Sequence, residues 1–394
     1  MLSEVLSGSE NLGIESMNIY IDMSEHNDYH SQASGRPNKY LVLVILALSL
    51  AGMFYSFSSK SNGKDVVSGI VKEVLSERDT ILEIGDKNKI VKEQELLVLV
   101  TVGKETKEIK VLNDYKSVAR GDKIFVQGSL FGDSEWSIVG ISRTKGLIIL
   151  AVFFIVLVIS TSGSKGFYSL VGLLFSFAVI FAFMIPSILK GINPISVGLI
   201  GAAMILIPTL YLSYGLSRKS VAAFLGIIIA LFFVGLVSNY FVNTLQFTGL
   251  SEISVFLDLE TSNSINLIGL LIAGIIIAAV GVLDDVAIIQ SSVVFSLART
   301  NDGLRGWKLF KEAMHVGRDH ISAVVNTLVL AYTGASLPLI LLLSLRGMSV
   351  DYFVSLEMVS EEIVRTLISS SGLLLAVPLT TMIAVVMVRG NCKK

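Results

Sequence analysis

The chain has 394 residues, 53% of them hydrophobic and only 16% charged, with a formal net charge of −1. A soluble domain carries closer to a quarter charged residues, so the composition excludes an ordinary soluble enzyme and fits a polytopic membrane protein with one polar portion. The balanced charge supplies no field for nucleic acid, and a single cysteine, Cys392, excludes an internal disulfide.

Residues 1–38 are polar and show no sustained period, which reads as a disordered cytoplasmic tail. "YLVLVILALSLAGMFYSF" (40–57) follows Arg36 and Lys39. The stretch before it is too long for a signal-peptide n-region, so 39–58 is expected to be transmembrane helix one, with its basic flank in the cytoplasm.

Residues 59–145 change character. "VVSGIVKEVL", "TILEIGD", "ELLVLVTVG", "KEIKVL", "GDKIFVQGSLF" and "WSIVGISR" are short β-rich runs separated by Gly, Asp, Asn and Lys turns. They predict a small extracytoplasmic barrel of five or six strands, OB-like. Seven further apolar runs follow at about 146–162, 167–189, 194–214, 220–240, 265–297, 321–345 and 363–388. The expected fold is therefore an all-α polytopic membrane protein of about eight transmembrane helices, with a β-rich domain between helices 1 and 2. The seven-helix domain is 146–390, and 391–394 form a cytoplasmic tail.

Charge orients the spans. Lys165, Arg218, Lys219, Arg299, Arg305, Lys308, Lys311, Arg318 and Arg389 fall on one side, whereas loop 241–264 holds Glu252, Asp258 and Glu260 and no Lys or Arg. That is a positive-inside pattern with both termini cytoplasmic. "GLRGWKLFKEAMHVGRDH" (303–320) places Trp307, Phe310 and Met314 on one helical face and reads as an amphipathic segment in the cytoplasmic interface.

Two adjacent carboxylates, Asp284 and Asp285, interrupt the apolar run at "GVLDDVAIIQ" (281–290). Charged groups at mid-membrane are costly and face a protein interior or a watery cavity. Counted from Arg299, the pair lies ~20 Å in; counted from Ile265, it reaches the inner boundary. By similar counting Thr333, Ser369, Ser370 and Ser371 fall at the deeper level, with Gly281, Gly334 and Gly372 nearby allowing close backbone approach. Two neighbouring carboxylates titrate as a coupled pair, which suits a proton relay. Sodium, held by carboxylate, hydroxyl and carbonyl oxygens, is the other candidate ion. The competing reading is that the pair caps a helix break or reaches the interface. Asn326, Thr327 and Gln290 are expected to serve helix packing or to support the relay. Adjacent aspartates point ~100° apart on one helix, and no histidine falls within a span, so protease chemistry is not expected. Neither a metal ligand set nor a cofactor motif is present in the sequence.

The stretches "GVLDDVAIIQSSVV" (281–294), "GRDHISAVVNTLVLAYTGASLPLILLL" (317–343) and "EEIVRTLISSSGLLLAVPLTT" (361–381) resemble the YibE/F family of bacterial membrane proteins. The resemblance implies an integral protein of the bacterial cytoplasmic membrane, often encoded beside a paired homologue, and it carries no established activity. A more distant similarity is to RND exporters and the SecD/SecF proteins, where an aspartate pair at the equivalent motif carries protons. This would make Asp284 and Asp285 relay residues. The chain departs from that pattern in having eight spans, a small external domain and no Lys or Arg within a span. The expected function is a proton- or sodium-coupled transporter or export component rather than an enzyme. Its partners would be the bilayer, a homologous subunit or second copy, and an external cargo. The alternative is a non-transporting scaffold that presents the β domain outside.

Overall fold

The computed structural model describes residues 39–58, 66–84, 87–102, 105–114, 116–128, 136–249, 265–301, 303–345, 347 and 349–389. The expected polar tail (1–38), the acidic part of loop 241–264 and the terminal residues 391–394 lie outside the described residues.

Helix α1 (Lys39–Ser58) precedes strands β1 (Val66–Ile84), β2 (Lys87–Val102), β3 (Glu105–Asn113), β4 (Lys123–Gln127) and β5 (Trp136–Ile141). The strands close into a barrel in the order β1-β2-β3-β5-β4. Every pairing is antiparallel except β3 with β5, which is parallel. Alternate side chains point inward, as a period of two requires. Leu96, Val98 and Val100 of β2 meet Val71, Val111, Ile124 and Val126 in the core.

Two runs that look separate in sequence are one strand. The polar stretch Ser76–Asp79 resembles a turn, yet it lies opposite Lys92–Glu95 in β2. Opposite charges pair across that ribbon: Lys92 donates to Glu77 over 2.8 Å. Hydrogen bonds also hold the link from β3 to β4. Gln94 accepts from Asn113 at 3.0 Å and from the Val118 backbone N–H at 2.8 Å, and all three residues are buried.

After the barrel come α2 (Thr144–Val179), a π-helical turn (Ile180–Met184), α3 (Ile185–Leu189), α4 (Pro194–Tyr214), α5 (Arg218–Thr244), α6 (Leu267–Thr300), α7 (Trp307–Ala335), α8 (Leu337–Leu345), α9 (Val350–Ser355) and α10 (Glu357–Arg389). Among the described residues five helices are long and apolar enough to cross a membrane: Thr144–Leu189, Pro194–Tyr214, Arg218–Thr244, Leu267–Thr300 and Glu357–Val388. The first has 46 residues, and a straight helix of that length would measure ~69 Å. It is not straight. Gly163 has φ 55° and ψ −134°, a conformation open essentially only to glycine. A Cβ built on Gly166 would lie 2.6 Å from the carbonyl oxygen of Val158, whereas those residues sit ~12 Å apart along a straight helix. The chain therefore folds sharply at Gly163, between the two apolar runs expected from the sequence.

The contacts divide the chain into two compact units, Lys39–Ser213 with Val242–Ile277, and Tyr214–Phe241 with Ala278–Lys394. Within the first, Val42 and Ile45 of α1 pack with Val171 and Leu212. In the second, Ala222, Val294, Leu309, Ala313, Ala384 and Val385 form a core that joins α5, α6, α7 and α10.

The segment 303–320 differs from expectation. From Trp307 onward it forms the first turns of α7, continuous with the apolar run that follows. Its packed face is Leu309, Ala313 and Gly317, all buried, while Trp307 is exposed and stacks on Phe310. The run 321–345 is likewise not one helix: it breaks at Ser336 between α7 and α8. Pro338, which lacks a backbone N–H, sits in the first turn of α8, where that donor has no helical partner to lose.

Candidate functional site

Around the aspartates, α6 has a packed face and an open one. Val280, Leu283, Val286, Ala287, Ile288 and Gln290 are buried, while Gly281, Asp285 and Ile289 are exposed. Asp284 is half-buried, because one residue of rotation turns it from the open face toward the packed one.

Gly372 fixes the level of α10 against this site. A Cβ there would meet Val234 Cγ2 at 2.4 Å and Leu283 Cδ1 at 4.0 Å. The position thus admits α5 and α6 against α10, next in sequence to Ser371 on one helix and to Asp284 on the other. Ser369 and Ser370 are 1% and 6% exposed, and neither hydroxyl has a hydrogen-bond partner among the described residues. Ser371 is less buried and donates to the Leu367 carbonyl in an ordinary turn-back bond of 2.8 Å.

The other anticipated residues separate into two groups. Gln290 is buried and donates to the Ala313 carbonyl at 3.0 Å and to the Thr381 hydroxyl at 2.8 Å, tying α6 to α7 and α10. Gly317 packs directly on it; a Cβ there would lie 2.9 Å from Gln290 Oε1. Gln290 is thus a packing crosslink. Asn326, Thr327, Thr333 and Gly334 are exposed. The hydroxyls of Thr327 and Thr333 turn back on the carbonyls of Ala323 and Val329. Thr333 lines a separate cavity with residues of α10 rather than joining the aspartates.

Three features had no counterpart in the sequence argument. Tyr214, at the end of α4, lies within electrostatic reach of both aspartates. It also lines a cavity of about 310 Å³ with Ile288, Ile289, Ser292, Val293 and Ser296 of α6. Ile289, Ser292 and Ser296 follow Asp285 at i+4, i+7 and i+11, so the cavity runs along the Asp285 face. Ser238 of α5, one turn beyond Val234, is fully buried and its hydroxyl also lacks a partner among the described residues. The spacing of Ser292 and Ser296 was readable in sequence; Tyr214 and Ser238 come in through tertiary packing alone. Among the described residues no three His, Cys, Asp or Glu side chains gather as a metal set.

A family model described as YibE/F-like protein matches residues 150–390. The chain belongs to the YibE/F-like family. The YibE/F-like region contains both aspartates, the buried serines, Gln290 and Tyr214; α1 and the barrel precede it. Comparison with curated proteins and with solved structures finds no match. Neither comparison supports the resemblance to RND exporters and SecD/SecF proteins.

Proposed function

We propose that this YibE/F-type chain is an integral membrane protein that moves protons, or sodium ions, across the bacterial cytoplasmic membrane and couples that movement to the export or remodelling of an external partner. The observation that carries this reading is the cavity along the Asp285 face. A carboxylate presented to lipid costs several kcal/mol by scale-dependent estimates, so an exposed Asp285 calls for water or a polar partner beside it. Tyr214, Ser292 and Ser296 line a cavity that begins with Ile288 and Ile289, one turn past Asp285 on the same face, and extends toward the Arg299 end of α6. On the packed side, the hydroxyls of Ser238, Ser369 and Ser370 are enclosed without acceptors among the described residues. A buried hydroxyl left unpaired costs about 1–3 kcal/mol, which a water or an ion offsets. An open approach on one face of the pair and enclosed oxygens on the other suit a group that loads on one side and releases on the other.

The same reading sets the topology. Eight crossings are supplied by α1, the two arms meeting at Gly163, α4, α5, α6, α7 with α8, and α10. The excess of Lys and Arg at the Arg218, Arg299 and Arg389 ends puts those ends and both termini in the cytoplasm and the barrel outside. The barrel's strand order, with its parallel β3–β5 pair, supports an OB-like assignment. A homologous subunit or a second copy would complete the assembly, and the barrel would meet the cargo.

A hydrophobic carbodiimide reports directly on the pair, because it reacts with a protonated carboxyl group in an apolar setting. Peptide mapping of the full chain in membranes is expected to show modification at Asp284 or Asp285 that falls as pH rises. Protection by sodium would identify sodium as the ion. Absence of modification at every pH would place the pair in bulk solvent and favour a non-transporting scaffold.

A further inference from the structure

We propose that Glu361 is the external end of the ion path, that the ion it passes is a proton, and that Arg365 switches between Glu362 and Glu361 as Glu361 loses and regains that proton. The proposal rests on the ion-coupled reading above and extends it from the aspartates to the outer end of α10. Two close contacts set the packing of α10 on α5. A Cβ on Gly226 would lie 2.1 Å from Thr380 Oγ1, and one on Gly372 would lie 2.4 Å from Val234 Cγ2. The two contacts are eight residues apart on each helix, in opposite directions, so the helices run antiparallel and in step. One turn further, Ser238 comes level with Ser369; both are buried, and neither hydroxyl has a partner among the described residues. Arg365 and Glu361 continue outward on the same face of α10, at i−4 and i−8 from Ser369. Glu361 therefore stands ~12 Å beyond the hydroxyls along the axis, with Arg365 midway.

Glu361 is 9% exposed, and its Oε1 is enclosed without a partner among the described residues. A buried, ionised and uncompensated carboxylate is costly. A cation is within reach, because Arg365 follows at i+4, a spacing that brings side chains together on a helix. Yet Arg365 Nη1 pairs with Glu362 Oε2 at 3.4 Å, and its buried Nε has no hydrogen-bond partner among the described residues. That is the arrangement expected when Glu361 carries a proton and needs no cation. When Glu361 gives the proton to external water, its carboxylate draws the guanidinium away from Glu362, which is more exposed and keeps its charge against solvent. A sodium ion on Glu361 would keep its own charge one turn from the guanidinium, whereas a bound proton leaves Glu361 neutral. Among the described residues, the charges that act on Glu361 are those of Arg365, Glu357 and Glu362, all on α10. The Val234–Ser238 stretch of α5 holds no charge, and Asp351 of α9 is exposed. Tyr332 of α7 stands on the Glu362 side, in the cavity that both line.

The test is peptide mapping of the full chain in membranes after reaction with the hydrophobic carbodiimide over a pH series, with Glu361 read separately from the aspartates. Wild type is expected to be modified at Glu361 to an extent that falls as pH rises. Arg365→Gln removes the cation that answers the carboxylate, so modification should persist to a pH about 1–3 higher, and Arg365→Lys should largely restore the wild-type profile. Glu362→Gln commits Arg365 to Glu361, so the fall should begin at lower pH. The two variants move Glu361 in opposite directions, so if one does not fold the other still decides. Modification of Asp284 or Asp285 with none at Glu361 would overturn the proposal and leave the ion-coupled reading standing. A Glu361 profile that neither variant moves would overturn the switch and the proposal with it. Protection of Glu361 by sodium would overturn the assignment of the proton. Modification of Glu361 with none at the aspartates would remove the ion-coupled reading itself, and the path with it.

Discussion

Replacing Gln290 by leucine keeps its approximate size and removes both of its hydrogen bonds, leaving the Ala313 carbonyl with its partner inside α7 and the Thr381 hydroxyl with Val377 and Met314. Each buried hydrogen bond lost is worth about 0.5–1.5 kcal/mol, so Gln290→Leu should lower the melting temperature by several degrees, and Gln290→Glu should not rescue it. Thermal unfolding of the two variants checks this; a melting point equal to wild type would deny the crosslink. A polar residue in an apolar run could be seen in sequence, but its partners 23 and 91 residues away could not. The Glu77–Lys92 pair shows the same limit in the barrel. The Lys92 ammonium, through its hydrogen bond and its charge, holds the Glu77 carboxyl below the usual carboxylate range, and Glu77 in turn raises Lys92. The contribution from Glu77 is therefore present above the ordinary carboxylate value and lost as pH falls through the lowered one. That from Lys92 is present below the ordinary lysine value and lost as pH rises through the raised one. In Lys92→Met the titration of Glu77, followed by NMR, should return upward to the ordinary carboxylate range.

At the level of elements, apolar runs were read well and their breaks unevenly. The gap between 162 and 167 held Ser, Gly and Lys, and the chain does turn there, at Gly163. Gly163→Val should cost about 1–3 kcal/mol, because a β-branched residue resists that backbone geometry. Introduced cysteines in a Cys392→Ser background locate the bend: positions 162 and 165 should label from the side opposite position 144, and labelling from the same side would refute two crossings. Elsewhere the polar residues of 303–320 suggested a separate interfacial segment, because Lys308, Lys311 and Arg318 mask the small buried face of Leu309, Ala313 and Gly317. In the barrel, the charged stretch Ser76–Asp79 resembled a turn only because its cross-strand partners were out of view. Gly372 is the contact on which the level of the site depends. Gly372→Leu drives atoms into Val234 and Leu283; overpacking of this kind costs about 1–3 kcal/mol. Stability measurements on Gly372→Leu and Gly372→Ala should show the larger loss for leucine.

For the whole molecule, the claim on which the functional account depends is that Asp284 and Asp285 exchange an ion inside the membrane domain rather than sit in bulk solvent. Two carboxylates in an apolar run pointed to this; the enclosed hydroxyls of Ser238, Ser369 and Ser370 and the cavity beside Tyr214 supply surroundings that no pattern in the sequence could contain. The most direct measurement needs no cargo. The melting temperature of the purified full chain is recorded against pH, with and without sodium, for wild type, Asp284→Asn and Asp285→Asn. An ion bound by the folded state must register in stability. The account predicts a pH-dependent or sodium-dependent segment in the wild-type curve that at least one of the Asn variants lacks. Three coincident curves, unmoved by sodium, would contradict it.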